Sequence, residues 1–200
     1  MGVTIENLGL RERKKIQTRE TIQRVAFNLF DEKGYANTTV EEIAEAAEVS
    51  PSTFFRYFPS KELVLMADDL DQVTVEALAR QPGDLSTMQA FRRAFDITMA
   101  TVSADEWELE RTRQRLVFSL PELRLVQFDV YRRVVKELAE ADSRRTGRDA
   151  DDFELHIFFG ALAGALMAII DRAPGSVELM YLALDFIEAG MPLGPTGSDS

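Results

Sequence analysis

Two prolines, Pro51 and Pro59, bracket the segment PSTFFRYF. Proline fixes φ and has no N–H, so a helix accepts it at its first position and not in its interior. Ser50 and Pro51 read as an N-cap followed by the first helical residue, and Pro59 closes the helix after about two turns. Ser60 then caps another helix, carrying Leu63, Met66, Ala67 and Leu70. Upstream, Ile22, Val25, Ala26, Leu29 and Phe30 recur at i, i+3, i+4, i+7 and i+8, one apolar helix face that ends at Gly34. The stretch TTVEEIAEAA follows, with capping-box spacing at Thr38/Glu41 and again at Thr39/Glu42. Val40, Ile43, Ala44 and Ala47 form its apolar face. Two short helices joined by a tight turn make a helix-turn-helix, whose second helix fits the major groove of DNA.

At about 100° per residue, Pro51, Phe54, Phe55 and Phe58 gather on one side of the bracketed helix, and Ser52, Thr53, Arg56 and Tyr57 on the other. The spacing predicts that the three phenylalanines anchor the helix while the polar side faces outward. Arginine bridges O6 and N7 of guanine, and Ser and Thr reach bases or phosphates.

Charge is distributed to match. The chain has a net charge of −11. Residues 11–24 nevertheless hold six basic and two acidic side chains, +4, while residues 63–200 hold 14 and 24, −10. A basic end on an acidic body is a local electrostatic footprint for nucleic acid, with a solvated helix face as the alternative from charge alone.

Residues 18–64 resemble the DNA-binding head of the tetracycline-repressor (TetR) family. FDEKGYANTTVEEIAEAAEVSPSTFFRYFPSKELV follows that family's pattern almost position for position. The resemblance implies a helical DNA-binding head, residues 1–62, a helical ligand-binding and dimerisation domain, residues 63–190, and a tail, residues 191–200. It implies phosphate contacts by Thr38, Thr39 and Lys61, a groove-facing set of Ser52, Thr53 and Arg56, and DNA contact by Ser50. Three positions depart from the pattern. Phe55 stands where tyrosine is common, Tyr57 where histidine is frequent and supplies a substitute hydroxyl, and Glu48 where glycine is frequent in the turn. The implied protein is a cytoplasmic homodimer on a double-stranded, palindromic operator, released by a small apolar or acyl-type ligand. SLPELR, residues 119–124, is similar to a subgroup with acyl-coenzyme-A-like ligands.

The rest of the chain also reads as helix, so the fold class is all-α. Ser86 caps a segment with Phe91, Phe95, Met99 and Val102. Helices are predicted over Asp105–Phe118, from Ser119/Pro121 through Leu138, over 151–172 and from Ser176 to Ala189, with ADSRRTGRDAD as a polar linker. Phe95, Met99, Leu116, Phe128 and Phe159 are placed to line an apolar pocket between helices, with core packing as the alternative. Arg111, Arg113 and Arg115 follow closely on Glu106, Glu108 and Glu110, which reads as a solvated face and otherwise as a ligand contact. Gly160 and Gly164 predict a close helix–helix contact, which the family layout places in a dimeric four-helix bundle, with a core contact within the chain as the alternative.

The apolar run Leu155–Ile170 contains His156 and is short for a membrane span. The chain has no cysteine and one histidine. That argues against a soft-metal site, and no phosphate loop, nucleophile elbow or cofactor motif is present. A DNA-binding protein that senses a protein partner is the alternative reading, and a small helical enzyme a distant third.

Overall fold

The computed structural model describes residues 9–66 and 69–193. Among the described residues there is no strand. In chain order the helices are α1 Leu10–Lys33, α2 Val40–Ala46, α3 Pro51–Tyr57, α4 Lys61–Met66, α5 Asp69–Ala79, α6 Thr87–Thr101 and α7 Ala104–Ser119. A 3-10 turn, Pro121–Leu123, leads to α8 Arg124–Thr146, α9 Phe153–Arg172 and α10 Val177–Glu188.

Local chemistry sets most of these boundaries. Gly34 ends α1 at φ 83°, its N–H donating to Phe30 O. Of the two capping boxes the sequence allows, Thr39/Glu42 forms, and the Thr39 hydroxyl accepts from the Glu42 N–H. Ser50 caps α3 by accepting from the Thr53 N–H, with Pro51 in the first turn. Between α2 and α3 the chain turns through Glu48 at φ 55°. Val49 N–H donates to Ala44 O and Glu48 N–H to Glu45 O, the paired bonds of a Schellman ending, in which glycine is the favoured residue. A side chain in the left-handed region costs about 1–2 kcal/mol. Glu48→Gly should therefore stabilise the chain by about 1 kcal/mol, a rise of roughly 2–4 °C in melting midpoint for a chain of this size. An unchanged or lower midpoint in a thermal scan would show the turn to be unstrained.

The predicted linker ADSRRTGRDAD is corrected over its first six residues, 141–146, while residues 147–151 do connect α8 to α9. Helix α8 runs through it to Thr146 and ends at Gly147, φ 75°. Ala141 and Asp142 are buried. Asp142 accepts from Arg145 Nε and Nη2 at 3.1 and 2.6 Å and from Thr87 Oγ1 at 3.1 Å. Arg145 also donates to Pro82 O and Leu85 O. These polar residues hold the α5–α6 connection to α8, so a composition that looks like linker is interior structure. Helix α7 likewise starts earlier than predicted, because Ser103 and Glu106 form a capping box.

Two apolar cores result. One joins α1 to α4 through Ile22, Phe30, Ile43, Phe54, Phe58 and Leu65, and takes in Val117 of α7 and Leu123. The other joins α5, α6, α8, α9 and α10 through Leu78, Phe91, Phe95, Leu138, Phe159 and Leu184. Helix α7 contacts α1, α4 and α9, so it spans both.

Candidate nucleic-acid interface and ligand cavity

Helix α3 shows what the head can offer to DNA. Ser52, Phe55 and Arg56 are exposed, Thr53 and Tyr57 half-buried, and Phe54 and Phe58 buried. The buried face is therefore centred on Phe54, rotated from the predicted one. Phe55, expected to be an anchor, is 50% exposed and meets Phe54 edge-on at 5.5 Å. Two phenylalanines hold α3, and Phe55 joins the outward face. The Arg56 guanidinium lies 5.4 Å from the Tyr57 ring centroid. The hydroxyls of Ser50, Ser52 and Thr53 form a chain with 3.0 Å separations at the start of α3.

The expected phosphate residues divide. Thr39 is exposed at the start of α2. Thr38 is a correction: it is 1% exposed, and its hydroxyl lies 3.2 Å from Leu29 O and 3.0 Å from Gly34 O. That hydroxyl satisfies carbonyls at the end of α1 and does not reach the surface. Lys61 is half-buried. Its ammonium donates to Tyr35 O at 2.8 Å and Thr38 O at 2.9 Å, and lies 4.1 Å from the Tyr35 ring centroid. It ties the start of α4 to the turn before α2, a task its position in the sequence did not reveal. The basic residues Arg11, Arg13, Lys14, Lys15 and Arg24 are exposed along α1, while Arg19 lies over the Phe58 ring at 5.4 Å.

The second site is a cavity of about 200 Å³ among α4 to α10. Of the five residues expected to line a pocket, Phe95 and Met99 do so. The other three do not. Leu116 packs on the head's core. Phe128 is 57% exposed and stacks on Tyr131. Phe159 is fully buried behind the cavity wall, edge-on to Phe91. Periodicity marks an apolar face but not which of its residues border an empty space.

Two members of the stretch that the sequence favours as a solvated face, Glu110 and Arg113, are part of the cavity wall instead. Arg113 is 8% exposed and lines the cavity with Glu110 and Gln114. Its Nε and Nη2 donate to the two Glu110 oxygens, both at 2.6 Å, and its Nη1 donates to Leu65 O on α4 at 3.0 Å. Gln114 donates to Glu110 at 2.8 Å and accepts from the Gly175 N–H at 2.8 Å. Trp107, the single tryptophan, lines the cavity and donates to Gly175 O at 3.1 Å. Arg111 is exposed but packs on Gly175, where a Cβ would lie 2.7 Å from its Cγ.

Comparison with known proteins accords with this geometry. Residues 22–67 match the profile of the bacterial regulatory proteins, tetR family, and residues 85–192 that of the MftR C-terminal domain. The transcriptional regulator TcmR of Streptomyces glaucescens is 36% identical over 171 residues, covering 82% of this chain and 76% of its own. A Mycobacterium tuberculosis protein named as the mycofactocin biosynthesis transcriptional regulator MftR is 24% identical, covering 90% and 93%. A TetR-family transcription regulator from Shewanella sp. PV-4 shares the fold, with a TM-score of 0.52 at 19% identity over 88% of this chain and 99% of its own. The chain belongs to the TetR family of bacterial regulators, helix-turn-helix proteins that bind DNA to control transcription.

Proposed function

We propose that the chain is a cytoplasmic homodimeric repressor that leaves a palindromic operator when a small, mainly apolar ligand, acyl chains included, fills the cavity. The observation that carries this reading is shared wall. Met66 and Val117 belong to the head's core and also line the cavity. A ligand there displaces side chains on which the head packs, and a ligand that prefers the altered geometry shifts the population away from the DNA-binding one. The cavity is large enough, since one of about 150 Å³ holds a benzene ring. Residues 1–62 are the head, 63–190 the ligand and dimer domain, and 191–200 the tail, with α4 serving both domains. Residues 194–200 lie outside the described residues.

Ser52, Thr53, Phe55 and Arg56 would enter the major groove, with Ser50 and Tyr57 at its rim. Thr39, Lys61 and the basic face of α1 would meet phosphates. An ammonium has three N–H donors, and two of those of Lys61 go to carbonyls, which leaves the third for the DNA. Selection of bound duplexes from a random pool tests the reading. A two-fold symmetric consensus is expected, and enrichment of no sequence would sink it. On that operator, Arg56→Ala should leave the melting midpoint near that of the wild type and weaken binding by about 1–3 kcal/mol. The loss falls at one base pair if Arg56 reads a base, and titration of operator variants shows which. Equal affinity for wild type and variant would remove Arg56 from the interface.

Two copies would pair through α9 and α10. Their outer face carries Phe153, Ile157, Leu182 and Phe186, exposed by 77, 58, 53 and 40%. A Cβ at Gly164 would meet nothing within 4 Å. By length and mean hydropathy, 1.9, α9 qualifies as a membrane span, and 17% of that window is buried within the chain. A second copy on this face accounts for the apolarity without a bilayer.

A further inference from the structure

The charges that line the cavity select the polar group of its ligand. Three charged side chains line it among the described residues, Asp71, Glu110 and Arg113, so the wall carries 1 − 2 = −1. The one cation is engaged. Arg113 gives two N–H bonds to Glu110 and one to Leu65 O. A ligand carboxylate or phosphate that took the place of Glu110 on this guanidinium would leave Glu110 without its ion pair, and one that stood beside the pair would add a further negative charge to a wall that is already net negative. Burying an uncompensated charge is among the costliest changes available to a protein interior. The remaining polar lining is neutral: Thr74, Thr98, Gln114, Gln127 and Tyr131.

We infer that the effector is an uncharged, mainly apolar molecule whose hydroxyl docks against the Glu110–Arg113–Gln114 triad of α7, and that the cavity rejects free carboxylates and phosphates. The inference rests on the reading of the cavity as the effector site. A hydroxyl both donates and accepts. It donates to a carboxylate oxygen of the triad and accepts from an N–H without changing the net charge of the wall. The triad is also the place where such a group has most effect on the protein. Through Arg113 it holds the Leu65 carbonyl of α4. Through Gln114 it holds the Gly175 N–H between α9 and α10. A group inserted there loads the connection to the head and the connection to the proposed dimer helices together.

Trp107 gives a direct readout, being the single tryptophan and part of the wall. The full-length protein is titrated at neutral pH with decan-1-ol and with decanoate, two alkyl probes that differ only at the head group. Decanol should bind with a dissociation constant lower than that of decanoate by about tenfold or more. Glu110→Gln removes a lining carboxylate and loosens the hold on Arg113, and should shift the ratio toward decanoate by about tenfold. Asp71→Asn, on α5, should shift it the same way, and serves if Glu110→Gln does not fold by circular dichroism. Decanoate binding the wild type as tightly as decanol, or neither probe altering Trp107 emission up to its solubility limit, would overturn the inference. So would a ratio unmoved in a folded variant. These results are separable from the proposed function, which stands or falls on the selected operator and its release.

Discussion

Phe54→Ala should unfold the head at temperatures where the wild type is intact. Phe54 is fully buried where α3 meets α1 and α2, in the cluster with Ile22, Ile43 and Phe58. Replacing a buried phenylalanine by alanine costs about 3–5 kcal/mol, because the transfer energy of the ring is lost and its neighbours only partly close the gap. For a chain of this size each kcal/mol lowers the melting midpoint by about 2–4 °C. Phe55→Ala is the control. At 50% exposure it should change stability by about 0.5 kcal/mol or less, and it should instead weaken operator binding, because Phe55 stands on the outward face beside Ser52 and Arg56. Melting curves and operator titrations of the two variants separate the faces. If Phe55→Ala destabilises as strongly as Phe54→Ala while leaving DNA binding intact, the orientation assigned to α3 is wrong.

This pair also shows where the sequence could be read and where it could not. Caps and breakers are local, so Gly34, Thr39, Ser50, Pro51 and Ser86 placed helix ends near where they stand. The rotation of a two-turn helix is not local. Pro51 to Phe58 contains apolar residues around more than half its circumference, and the choice between Phe55 and Tyr57 for the inner side is made by the helices it packs against. Thr38 has the residue type and position of a phosphate contact, yet the end of α1 needs a hydroxyl at that point and turns it inward. Asp142 and Arg145 read as linker because both are charged. Their burial follows from a partner about 60 residues earlier in the chain, Leu85 and Thr87, a pairing no short window can reveal. The charged stretch of α7 failed as a solvated surface for the same reason: the fold lays α4 and the Gly175 turn against Glu110, Arg113 and Gln114 and leaves Glu106, Glu108 and Arg115 in water.

Ile157→Glu should convert the proposed dimer to a monomer and nearly abolish operator binding. Ile157 is 58% exposed in the single chain, on the outer face of α9 one turn from Phe153. An isoleucine there stands in water in the monomer and gains by leaving it on pairing, whereas a glutamate on that face must be desolvated against apolar neighbours, with no cation on the same stripe from Phe153 to Ala168 to meet it. The substitution should not harm the monomer's own core, since the side chain projects away from it. Its effect on DNA is multiplied. With two heads joined, binding of the second half-site is intramolecular, and losing that link costs about 10²–10⁴ in overall affinity with no contact to DNA changed. Affinity for an isolated half-site should therefore equal that of the wild-type head, while affinity for the full operator collapses toward the same value. Ultracentrifugation across the micromolar range gives the state, and titration on full and half operators gives the multiplier. A wild type that sediments as a monomer at those concentrations, or a folded Ile157→Glu protein that remains dimeric with undiminished operator affinity, would move the interface away from α9 and leave its apolar face to be explained by another partner.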